Sequence, residues 1–221
     1  RTAATIMNPE DIRQHYEENR KEIHDRLEEF KGLRESNDYR LFMELCFVIL
    51  TSQSSAKKAW EAIEKLDDEN LLLEGDKSEI ANVLKQKEIQ YEKNKAGYIV
   101  DNRQLLSQPT LKNPTNELKI KEKLNLEDLE KTREWLVDNI KGLSWKGASH
   151  FLRNIGYGDN FAIVLSYISK TLFKLQLIDE AEIPKNKEKY LEQEDIVRDL
   201  ADEVEIDIKA LDLVLWSMQT G

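Results

Sequence analysis

Residues 41–50 read Leu-Phe-Met-Glu-Leu-Cys-Phe-Val-Ile-Leu, and a helix built on them is apolar almost all round. Such a helix has no face to give to water, so it belongs at the centre of a domain with other elements wrapped around it. The remainder of the chain supplies that wrapping. With 8 Gly and 4 Pro in 221 residues, and 34% charged against 40% hydrophobic, the sequence disfavours β and low-complexity architectures and favours many amphipathic helices. No alternating stretch of useful length argues for a strand, and no internal repeat stands out.

The first helix is expected to start at Asn8, an N-cap, with Pro9 in the first helical position and Glu10 at the positive end of the dipole. Its apolar stripe is Ile12, Tyr16, Ile23, Leu27 and Phe30, and Gly32 follows as a C-cap. Further helices are predicted over 54–66, 76–86, 93–107, 126–140, 145–155, 161–176, 187–203 and 208–219, with the Asn-Pro-Thr-Asn stretch 113–116 as a loop. The acidic stretch 192–207 reads as a solvated helix face ending on an Asp207 cap.

Lys and Arg number 33 against 43 Asp and Glu, a net charge of −10, which argues against a non-specific nucleic-acid binder. Any DNA contact must come from a local patch. The single cysteine, Cys46, permits neither an internal disulfide nor a cysteine-based zinc cluster, and inside its apolar run it reads as an inert core thiol in a reducing compartment. His15, His24 and His150 have no metal-like grouping, so no metal and no cofactor is expected. No apolar run approaches the roughly 18–20 residues of a membrane span. Residues 1–7 lack the apolar core of a signal peptide. The expectation is a soluble intracellular monomer, cytoplasmic and at the nucleoid if the cell is prokaryotic.

The segment Asn139-Ile140-Lys141-Gly142-Leu143-Ser144-Trp145-Lys146-Gly147-Ala148-Ser149-His150-Phe151-Leu152 joins two helices through a glycine-containing turn, a helix-hairpin-helix layout. Hairpin amides and the free N–H groups of the second helix's first turn suit an anion, so an acidic protein can hold a phosphate there. The turn taken alone is equally compatible with an ordinary αα-hairpin in which Gly142 is only a C-cap.

Four blocks taken together resemble the archaeal-type 8-oxoguanine DNA glycosylase/AP lyases of the helix-hairpin-helix glycosylase superfamily. They are 44–51 (ELCFVILT), 95–100 (KAGYIV), 139–154 (NIKGLSWKGASHFLRN) and 211–216 (LDLVLW), in family order across most of the chain. The resemblance implies an all-α helix-hairpin-helix DNA glycosylase fold with two helical subdomains flanking a DNA-binding cleft. One would comprise 1–35 plus 160–221, and the other 36–159 with the hairpin at 130–155.

It also implies roles. Lys146 matches the family's nucleophile, an amine that attacks the sugar C1′ or an abasic aldehyde to form a Schiff base. Lys141, Gly142, Leu143, Ser144 and Gly147 fall where the hairpin meets the DNA backbone. Tyr91 and Trp216 match aromatic positions around an extruded base, although either reads equally well as a core aromatic. Gln53 occupies the stretch that fills the gap left by that base, or is a plain polar turn.

Three departures matter. The family aspartate falls on Leu165 and the neighbouring histidine on Tyr167, so the electrostatic help a carboxylate gives to glycosidic cleavage is missing. Asp159 lies too early to replace it. Ser144 stands where the hairpin usually has its second glycine, a strained choice if φ is positive there. The family's basic C-terminal residue, which reads the oxidised purine, has no counterpart before Gly221; either the tail is trimmed or recognition has changed. The expected partner is double-stranded DNA with oxidised guanine or an abasic site. Expected functions are a glycosylase/AP lyase with weakened excision, a damage-binding protein of the same fold, or, on charge alone, a protein-interaction module that leaves the hairpin unexplained.

Overall fold

The computed structural model describes residues 6–112 and 114–220, the side chain of Thr220 excepted. Among the described residues the regular elements are helices: α1 (Pro9–Gly32), α2 (Asp38–Leu50), α3 (Ala56–Asp68), α4 (Leu71–Glu74), α5 (Lys77–Gln86), α6 (Glu92–Leu106), α7 (Ile120–Lys123), α8 (Leu129–Asn139), α9 (Trp145–Asn154), α10 (Ser166–Lys174), α11 (Lys187–Val204) and α12 (Ile208–Thr220). The expected all-α class is what forms, and residues 114–116 of the expected loop are non-helical, Asn113 lying outside the described residues. The chain divides into two compact units, Arg1–Arg34 with Leu152–Gly221 and Glu35–Phe151. The second crossing falls inside α9, earlier than the 159/160 edge expected from the sequence.

In the terminal unit, α1 begins as its sequence dictates: the Asn8 side chain accepts from the Asp11 amide and the Asp11 side chain accepts in return from the Asn8 amide. Ile12, Ile23 and Phe30 are its buried residues, and it packs on α11 and α12. Gly32 does not cap it. Leu33, in right-handed helical conformation, takes the C-cap, and a Cβ on Gly32 would meet nothing within 4 Å.

The helix predicted over 161–176 starts only at Ser166, and the reason is tertiary. Ala162 donates its amide to the Glu194 carboxylate (3.0 Å), Val164 donates to the Tyr190 hydroxyl (3.2 Å), and that hydroxyl donates to the Ala162 carbonyl (2.5 Å). Side chains of α11 thus satisfy the backbone of a buried, non-helical segment that would otherwise need a helix. Leu165 is left as the N-cap residue of α10.

In the central unit α2 is the buried helix its composition requires. Leu41, Phe42, Leu45, Cys46, Ile49 and Leu50 are all buried, each large apolar side chain contributing about 1.5–3 kcal/mol of transfer free energy. Phe47 is less covered and faces the edges of Trp60 and His150. Around it α3 is capped by Ser55, α5 by a reciprocal Asp76 and Glu79 box, and α8 by Asp128. Burial raises the Cys46 thiol pKa far above its usual range, which leaves it the unreactive core group expected. Among the described residues no helix is long and apolar enough to cross a membrane.

Candidate functional site

The hairpin is built by α8, a turn and α9, and each residue of the turn has a distinct job. Gly142 adopts φ +81°, and a Cβ there would lie 2.6 Å from Tyr98 Cδ2 and 3.2 Å from Ile49 Cγ2. Both conformation and space therefore require glycine. Ser144, in contrast, has no positive φ; its hydroxyl accepts from the Gly147 amide (3.2 Å) and its carbonyl from the Ala148 amide (2.8 Å). It is an ordinary N-cap of α9, so the strain anticipated for a serine at this position does not arise. Leu143 buries its side chain and donates its amide to the Ile140 carbonyl (3.3 Å), while a Cβ on Gly147 would meet Leu143 Cδ1 at 2.9 Å. Leu143 and Gly147 thus shape the turn from within.

With the amides of Lys141, Leu143 and Gly147 engaged, those of Gly142, Ser144 and Lys146 have no protein acceptor among the described residues. Three donors at a helix N-terminus suit an anion. The Lys141 ammonium pairs with Asp101 (2.6 Å) in an exposed, weakly held contact that an incoming anion can replace. Gly142→Ala is expected to cost about 2–5 kcal/mol, from left-handed strain plus overpacking against Tyr98, in urea unfolding. A cost under about 1 kcal/mol would show that the turn does not depend on glycine.

Lys146 is the second residue of α9 and is half-buried. Burial lowers its pKa from the ordinary lysine value, and no carboxylate among the described residues pairs with its ammonium to offset that. The positive end of the α9 dipole acts in the same direction. The preceding residue, Trp145, is held from behind by Arg133, whose guanidinium stacks on the indole at 5.0 Å, donates to the Ser149 hydroxyl (3.2 Å) and pairs with Glu130 (3.0 Å). The Ser149 hydroxyl donates to the Trp145 carbonyl at 2.8 Å. A first turn held by these contacts and carrying a lysine whose pKa burial lowers has the features that a nucleophilic amine needs.

Gln53 and Tyr91 lie in the same unit as Lys146. Gln53 is exposed at φ +57° between α2 and α3, and Tyr91 sits at φ +58° as the first flanking residue of α6. At 57% exposed, Tyr91 is not a core aromatic. Left-handed non-glycine residues cost of order 1–3 kcal/mol and persist where the surroundings hold them.

In the terminal unit Trp216 is 52% exposed on α12, beside a groove lined by Arg26 and Leu213, so it too is no core residue. Leu165 offers no capping side chain to α10. Tyr167 donates to Asp212 Oδ1 (2.7 Å) and Arg153 pairs with the other oxygen, so this buried carboxylate is fully engaged. Burial, then the Asp212 charge, raise the Tyr167 pKa and keep the phenol a donor. Asp159 is exposed and pairs with Lys209 (2.9 Å). Leu165→Asp is expected to stabilise the fold by about 0.5–2 kcal/mol through a new N-cap, since Leu165 is only partly buried. Chemical denaturation checks this, and destabilisation would contradict it.

The histidines are dispersed: His15 on Ser217 (2.7 Å), His24 on Tyr16 (2.9 Å) and His150 against Phe47. Three supporting residues escaped sequence reasoning. Asn102 accepts from the Lys141 amide (2.8 Å) and donates to the Lys141 carbonyl (3.0 Å), clamping the hairpin turn. Lys95 is buried on the same face of α6, and Arg133 lies under Trp145. The signal existed: Lys95, Ile99, Asn102 and Leu106 recur at helical spacing, which places two polar residues on a core-facing stripe.

The sequence profile of the family described as 8-oxoguanine DNA glycosylase matches residues 23–206. The 8-oxoguanine DNA glycosylase/AP lyase of Fusobacterium nucleatum is 37% identical over 213 residues, covering 96% of this chain and 94% of that protein. The crystal structure of the 8-oxoguanine DNA glycosylase of Thermotoga maritima superposes with a TM-score of 0.81 at 32% identity, covering 95% of this chain and 94% of that one. The Methanocaldococcus jannaschii 8-oxoguanine glycosylase/lyase, solved in complex with 15mer DNA containing 8-oxoguanine, gives 0.80 at 34% identity over 95% of this chain and 97% of that one.

Proposed function

This chain belongs to the 8-oxoguanine DNA glycosylase family, and from that membership we propose that it binds duplex DNA bearing oxidised guanine or an abasic site and reacts through Lys146. The observation that carries this reading is the half-buried Lys146 ammonium, without a carboxylate partner among the described residues and with its pKa lowered by burial, at the start of α9. A neutral Nζ attacks C1′ of the open-chain abasic aldehyde; loss of water leaves the imine, and removal of a C2′ proton expels the 3′ phosphate. The amides of Gly142, Ser144 and Lys146, with Lys141, hold backbone phosphate. Tyr91 and Trp216 each offer an exposed aromatic face to an unstacked base, and Gln53 enters the space that base leaves.

Cleavage of the N-glycosidic bond asks for more. Positive charge develops on the sugar, and a fixed carboxylate lowers that barrier. Leu165 carries no charge, and the buried Asp212 carboxylate of the same unit is taken up by Arg153 and Tyr167. The protein is therefore an AP lyase first and a weak glycosylase second. Leu165 also favours a second reading, a damage-binding protein that has lost excision altogether.

Borohydride trapping on duplexes with a pre-formed abasic site tests the proposal. A covalent adduct that forms at saturating DNA supports Lys146 chemistry. Tight, lesion-selective binding with no adduct would replace it with the second reading.

A further inference from the structure

α6 carries two polar residues on its buried face, and each bonds a loop rather than a side chain. Asn102 clamps the backbone of Lys141 in the hairpin. Lys95, two turns earlier and about 10 Å away along the axis, is only 4% exposed and directs its Nζ to the carbonyls of Leu50 (3.2 Å) and Ser52. These carbonyls close the C-terminus of α2, where acceptors are left without intrahelical donors. From the neighbouring segment, the Gln90 amide donates to the Ser54 hydroxyl at 3.0 Å. Three hydrogen bonds thus stitch residues 50–54 to residues 90–95. Each stitched segment displays one exposed non-glycine residue in left-handed conformation, Gln53 in the first and Tyr91 in the second.

We infer that Lys95 is a positioning residue that ties the Gln53 turn to the Tyr91 turn, so that both meet DNA as one element braced by α6. The inference rests on the reading of Gln53 and Tyr91 as lesion contacts. An amine is suited to the task because it can reach two carbonyls at once with donors to spare, whereas a carboxylate or an apolar side chain at the same place would leave both carbonyls orphaned. Burial brings the Lys95 pKa down to about 8, consistent with a dry site in which such bonds are strong. A lysine serving only to fill the core would need neither carbonyl and would not touch a turn that carries strained residues.

Lys95→Met keeps the length and apolar stem of the side chain and removes its donors. Hydrogen exchange on the DNA-free protein is expected to speed up about tenfold in both 51–55 and 88–94, with α3 and α8 unchanged. In anisotropy measurements the preference for a tetrahydrofuran abasic-site duplex over an undamaged one is expected to fall about tenfold, and Gln53→Ala added to Lys95→Met should lower it by less than about twofold more. Faster exchange in only one segment, or throughout the unit, overturns the tie, as do fully additive losses. Should Lys95→Met not fold, Ser54→Ala removes the third bond with little disturbance and must still loosen both segments together. If exchange couples the segments while Gln53→Ala and Tyr91→Ala leave lesion preference untouched, the tie stands and the lesion-contact reading of those two residues fails.

Discussion

Lys146→Gln is expected to reduce borohydride-trapped adduct on abasic duplex by on the order of 10³ or more, since an amide cannot form an imine. The effect should appear at saturating DNA, because the free hairpin amides and Lys141 are unaltered by the change. The wild-type rate carries a further signature. Only the neutral amine attacks, and burial lowers the Lys146 pKa, so trapping should rise with pH and level off below the ordinary lysine value of 10.5. A rate still climbing through 10.5, or a Lys146→Gln variant that traps normally, would move the chemistry to another amine.

Leu165→Asp is expected to raise excision of 8-oxoguanine by about 10² or more. The substitution restores a carboxylate at the N-cap of α10, a position where the backbone already has the extended conformation a capping aspartate uses. Stability and activity should therefore rise together, which is uncommon for a change at a functional position. A variant that gains the cap energy without gaining excision would show that a carboxylate at 165 is not enough, and Tyr167→His is then the next substitution to add.

Much of this was legible in the chain. The start of α1 and the burial of α2 follow from local rules, a capping box and an apolar run, that need no distant partner. The hairpin was legible as a helix-turn-helix layout around Gly142, whereas Lys146 was singled out only by the family resemblance of the block that holds it. Residues 161–165 were not, because an apolar run gives no hint that Glu194 and Tyr190 satisfy its backbone from a helix far along the sequence. Ser144 was legible as a departure but not as a cap, since one side-chain bond decides between strain and support. Tyr91 and Trp216 show the limit of periodicity: an aromatic at a helix edge reads the same whether covered or exposed.

The most direct measurement compares the wild-type protein on two duplexes under single-turnover conditions, one with a pre-formed abasic site and one with intact 8-oxoguanine. Nicking and trapping of the abasic duplex, with excision of 8-oxoguanine slower by on the order of 10² or more, is the expected result for a chain with an active Lys146 and an uncharged residue 165. Excision as fast as nicking of the abasic duplex would contradict it, and would mean that another group supplies the charge Leu165 lacks.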